Sequence, residues 1–66
     1  MDKLDEATLA FIGNGEVGQK PLKAADFTAD KHTISLIEGG YAVVEGENLI
    51  CTARGWRHLD SRPRDV

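Results

Sequence analysis

The chain has 66 residues, with eight basic and eleven acidic side chains and a net charge of −3. That length bounds one domain near the lower limit for a self-sufficient core, where roughly 3–5 kcal/mol is the ceiling without staples or oligomerisation. The acidic balance counts against a dedicated nucleic-acid binder, which is usually basic. Cys51 is the only cysteine, so an internal disulfide is excluded and a reducing compartment fits. No run approaches the roughly 20 apolar residues of a membrane span. Asp2, Lys3, Asp5 and Glu6 occupy the start of the chain, where a secretion signal carries an apolar core. The expectation is a cytoplasmic protein that does not engage a membrane.

In chain order, the first element reads as a helix. Asp2 can cap it, and Asp5 suits the positive end of the helix dipole. Leu4, Thr8, Phe11 and Ile12 fall on one face at helical spacing, with Ala7 and Leu9 beside them. Gly13-Asn14-Gly15 should stop it, because both residue types tolerate positive φ. Pro21 suits the first turn of a short second helix whose buried side would be Leu22, Ala25 and Phe27. Residues 29–38 read either way: Ile34 and Leu36 alternate with polar neighbours as in a strand, while Thr33, Leu36 and Ile37 share one helical face.

Gly39-Gly40 is a clear break. Tyr41–Glu45 and Leu49–Ala53 then read as strands joined by the three-residue turn Gly46-Glu47-Asn48. Thr52 can cap a closing helix from Arg54 to Asp60, with Trp56 and Leu59 on its inner face. Residues 61–66 have nothing to bury and read as a flexible tail, leaving 1–60 as a single domain.

From Leu36-Ile37-Glu38-Gly39-Gly40-Tyr41 through the hairpin to Leu49-Ile50-Cys51-Thr52-Ala53-Arg54-Gly55, the chain resembles the winged-helix family. The resemblance rests on a helix ending in leucine, polar residues and glycine, then a β-hairpin wing, then Thr-x-x-Gly opening the last helix. It covers about 25 residues. It implies an α+β fold, a small winged helix-turn-helix with three helices, a C-terminal two-stranded hairpin and a short closing helix. It also implies a DNA-binding regulator: Lys31, His32 and Ser35 in the groove, Lys20 and Lys23 on the phosphate backbone, Asn48 and Arg54 at the wing, and a homodimer to double the phosphate contacts. One departure matters: Ile34 and Ile37 are bulky and apolar where a groove reader carries polar groups. An outward isoleucine suits a protein partner at least as well as DNA, so the alternative is a protein-binding adaptor or inhibitor using Ile34 and Ile37.

Sharper chemistry finds less support. Gly13-Asn14-Gly15-Glu16-Val17-Gly18 spells G-x-G-x-x-G with Glu38 twenty residues on, the layout of a dinucleotide fingerprint. That motif needs several parallel strands and far more chain, so a loop after the first helix is the better reading. Cys51, His32 and His58 lack metal-ligand spacing. Cys51 reads as a small core residue and His58 as an outer-face residue of the last helix. No nucleophile, base and oxyanion site come together, so neither catalysis, nor a metal, nor a cofactor is expected.

Overall fold

The computed structural model describes residues 2–61. Arg62–Val66, most of the expected tail, lie outside the described residues; Ser61 is instead the last residue of a helix, its hydroxyl donating to the His58 carbonyl at 3.1 Å.

Helix α1 spans Lys3–Val17. Asp2 precedes it in an extended conformation, and Asp5 and Glu6 sit in its first turn. The helix runs through Gly13-Asn14-Gly15 instead of stopping there. Gly13 is buried against the last helix, and a Cβ at that position would lie 3.0 Å from the Trp56 ring. Glycine costs a helix interior about 1 kcal/mol, and here it admits that close approach. The chain reverses further on, at Gln19, which takes a positive φ of 61°. The G-x-G-x-x-G motif is therefore mostly helical, its backbone committed to helix hydrogen bonds.

The expected helix after Pro21 is absent. Leu22–Lys23 form a short strand, β1, and Ala24–Phe27 a single 3₁₀ turn. Tertiary pairing overrides the local signal: Leu22 pairs with Leu49 and Lys23 with Asn48, and the Ala24 N–H donates to the Glu47 carbonyl at 2.8 Å.

Residues Lys31–Glu38 form helix α2, which resolves the ambiguity of that segment. Asp30 caps it, its carboxylate accepting from the Thr33 N–H and hydroxyl at 2.9 Å each. Gly40, at φ 80°, turns the chain into the hairpin, and Tyr41 N–H donates to the Leu36 carbonyl at 2.9 Å. Strands β2 (Ala42–Glu45) and β3 (Asn48–Cys51) pair antiparallel from Ala42↔Cys51 to Glu45↔Asn48. The turn is thus two residues, Gly46-Glu47, with Gly46 at φ 62°, as expected of a tight hairpin with glycine first. The sheet has three antiparallel strands in the order β1-β3-β2, not two.

Helix α3 spans Ala53–Ser61. Thr52 caps it as expected: its hydroxyl accepts from the Gly55 N–H at 3.1 Å and donates to the Gly40 carbonyl at 2.6 Å. Gly55 is buried, and any Cβ there would collide with the Tyr41 carbonyl and approach Cys51 Sγ.

The result is an α+β domain with α1 packed on α2, α3 and β3. Leu9, Ile12, Leu36, Ala42, Leu49 and Cys51 form the core, ringed by half-buried Leu22, Phe27, Tyr41, Trp56 and Leu59. Burial, with Glu16 adding, pushes the Cys51 thiol up to about 11, so it is protonated at neutral pH and behaves as a core residue. The apolar face expected for α1 is wrong in part: Ile12 is buried, but Leu4 and Phe11 point outward at 60% and 56% exposure, and Leu9 takes their place inside. Among the described residues no helix is long and apolar enough to cross a membrane.

Candidate functional site

α2 has two unlike faces. Inward, Thr33 and Leu36 are buried. Beside them His32 Nδ1 donates to Asp5 Oδ1 at 2.7 Å and the Ser35 hydroxyl donates to Asp5 Oδ2 at 3.1 Å. One carboxylate on α1 thus holds two residues a helical turn apart on α2. The bond from His32 holds the Asp5 carboxyl below the usual carboxylate range, outweighing burial, with Ser35 adding to the effect. The Thr33 N–H does the same for Asp30, helped by the Thr33 hydroxyl.

Outward, α2 presents Lys31, Ile34, Ser35, Ile37 and Glu38. Ile34 is 40% exposed and Ile37 38%. Lying three apart on a helix, they form a short aliphatic ridge. On strand β2, Val43 is 42% and Val44 47% exposed, on opposite faces of the sheet. Two consecutive apolar residues on a sheet must point to opposite faces, so the run Tyr41–Glu45 by itself implies one exposed valine.

Several of the expected DNA contacts have partners within the fold. His32 and Ser35 come together, but at Asp5. Lys23 and Asn48 are paired across β1 and β3, and Asn48 is a half-buried strand residue, not the wing tip. The tip is Gly46-Glu47. Lys23 Nζ is 3.8 Å from Glu47, both side chains mostly exposed, a contact worth about 0–1 kcal/mol. Arg54 stacks on Tyr41, 4.7 Å from the ring centroid, with Nη2 donating to the hydroxyl at 3.4 Å. Lys20 and Lys31 are exposed and make no ion pair among the described residues.

Several features lie outside what the sequence pattern conveys. His58 is half-buried, not on an outer face: its Nε2 lies 3.2 Å from Glu6 Oε2, and its ring meets Tyr41 edge-on at 5.8 Å. Both histidines of the chain therefore clamp adjacent acids in the first turn of α1, one from α2 and one from α3. Leu4, Ala7, Thr8 and Phe11 line an open groove of about 400 Å³ with Phe27, Asp30 and His32. Asp2, Asp5 and His32 bring three donor atoms within 4.8 Å of one another. Asp5 and His32 already satisfy each other there, so the cluster reads as a structural hydrogen-bond knot. No family model, curated protein or solved structure matches this chain.

Proposed function

We propose that this chain is a protein-binding module, an adaptor or inhibitor, that engages its partner through the outward face of α2. The observation that carries the reading is the split of α2. Its hydrogen-bonding residues His32 and Ser35 turn to Asp5, while Ile34 and Ile37 face outward. A helix that reads DNA needs donors and acceptors at base edges, and aliphatic side chains supply neither. Exposed apolar residues grouped on one element mark an association surface. The acidic hairpin tip, with Glu45 and Glu47, also suits a protein partner better than a phosphate backbone.

The test is capture from host lysate by the wild-type chain, by Ile34→Asp/Ile37→Asp and by Leu4→Asp/Phe11→Asp. The reading expects a partner lost with the first variant and kept with the second. Capture unchanged by Ile34→Asp/Ile37→Asp ends it.

A second reading is retained on a separate observation. A helix ending at Gly39-Gly40, an antiparallel hairpin, and a threonine–glycine start to α3 occur in the order the winged-helix resemblance implies. On that frame the chain is a small winged-helix DNA-binding regulator, with Lys31 at the groove, Lys20 at the backbone and pairing as a homodimer. A gel shift with pooled duplex fragments at low salt tests it, and no retardation there removes it.

A further inference from the structure

We infer that the outward face of α1 is a homodimer interface, on which a second copy of this chain lies with its own α1 antiparallel, along Leu4, Ala7, Thr8 and Phe11. The inference is independent of the protein-binding reading above, which uses α2. These four residues follow at steps of three, one and three, so they share one side of the helix, and all line the same groove. Leu4 and Phe11 are more than half exposed. The face is uncharged, in a chain of net charge −3. α1 carries acids at Asp5, Glu6 and Glu16, and each turns to a partner within the fold: Asp5 to His32 and Ser35, Glu6 to His58, and Glu16 to the Cys51 N–H at 3.2 Å. Lys3, at the start, is the only base of the helix. Copies of an acidic chain repel one another, and this face lets two of them meet without setting like charges together.

The order of sizes argues for a second copy as the occupant. Leu4, Ala7, Thr8 and Phe11 read large, small, small, large, symmetric about the midpoint of Ala7 and Thr8. A two-fold axis at that midpoint sets each Leu4 against Phe11 of the other copy, as a self-complementary contact requires. The small residues at the axis let the helices approach to about 8–10 Å. An antiparallel pair also keeps the acid-rich first turns and the like ends of the helix dipoles apart, where a parallel pair would stack them. A small ligand is less well served. The Thr8 hydroxyl donates to the Leu4 carbonyl at 2.9 Å, and Asp30 and His32 at the rim are bonded within the fold, which leaves no free polar group to orient a ligand. A contact confined to one helix face lies below about 1,200 Å² of buried surface, at the weak end of specific interfaces.

The test is analytical ultracentrifugation of the full chain from micromolar to millimolar concentration. The apparent mass should rise from monomer towards dimer. Leu4→Asp/Phe11→Asp should hold it at monomer, with an unchanged circular-dichroism spectrum, and Ile34→Asp/Ile37→Asp should leave the dimer intact. A second measurement does not depend on that variant folding. Cys51 is buried, so a cysteine placed on α1 reports alone. Thr8→Cys sits beside its own copy at the axis, within the roughly 5–6 Å Cα separation of a disulfide, and should cross-link on oxidation. Val17→Cys, at the helix end and 72% exposed, lies roughly 30 Å from its copy in the antiparallel pair and should not. A monomer at every concentration overturns the inference, as does a dimer that survives Leu4→Asp/Phe11→Asp or is lost with Ile34→Asp/Ile37→Asp. Cross-linking through Val17→Cys in place of Thr8→Cys overturns it too.

Discussion

The two faces of α2 are built from similar residues and do opposite things. On the inner face Thr33 and Leu36 are buried, and at its edge half-buried His32 and exposed Ser35 share a partner in Asp5 on α1. On the outer face Ile34 and Ile37 remain about two-fifths exposed and Lys31 and Glu38 are free of ion pairs among the described residues. The lesson is that apolar character does not assign a side chain to the core in so small a domain. Burial is decided by which neighbouring element arrives, and here α1 covers one side of α2 only.

The sharpest way to probe that contrast is to truncate one residue on each face. Leu36→Ala should cost about 2–5 kcal/mol through lost burial and a residual cavity. That rivals the total stability of a domain this size, so denaturant titration should find the variant largely unfolded. Ile37→Ala, at a position 38% exposed, should cost clearly less, about 1 kcal/mol, while weakening partner capture. Equal costs at the two positions would erase the distinction between the faces.

Next in size is the α3 junction that fixes the hairpin beneath α2. Gly55→Ala forces a Cβ into the Tyr41 carbonyl and towards Cys51 Sγ, and overpacking of this kind costs about 1–3 kcal/mol. Thr52→Ala removes the cap to the Gly55 N–H and the bond to Gly40, with an expected loss of about 1 kcal/mol. Both are read from chemical-denaturation midpoints, and Gly55→Ala should be the worse.

The inner-face knot predicts a pH dependence whose sign follows from Asp5 and Asp30. Both carboxyls are held below the ordinary value in the folded chain. Their contribution is therefore complete above the unfolded-state value near 3.9 and is lost as pH falls through the folded-state values. Thermal melts should show stability declining below about pH 4, and Asp5→Asn should flatten that decline. The smallest effect belongs to the outer surface: Lys23→Ala should change stability by less than about 0.5 kcal/mol, because its contact with Glu47 is long and solvated.

What could be read from the residues alone was local. The Gly39-Gly40 break, the β2–β3 ribbon and the Thr52 cap with Gly55 behind it are short-range signals, and all are present. What could not be read depends on distant chain. β1 exists because Leu22 pairs with Leu49. α1 passes through Gly13-Asn14-Gly15 because Trp56 packs on Gly13. α1 carries two apolar stripes, Leu9 with Ile12 and Leu4 with Phe11, and helical spacing alone cannot choose between them. His32 and Ser35 look like free donors on a helix until Asp5, 27 and 30 residues earlier, is placed beside them.

The most direct measurement is to titrate the partner captured from lysate into isotope-labelled chain and follow the backbone amide shifts. The account expects the largest shifts at Lys31, Ile34, Ile37 and Glu38. Shifts confined to Leu4–Phe11, or to Lys20, Lys23 and Arg54, would contradict it.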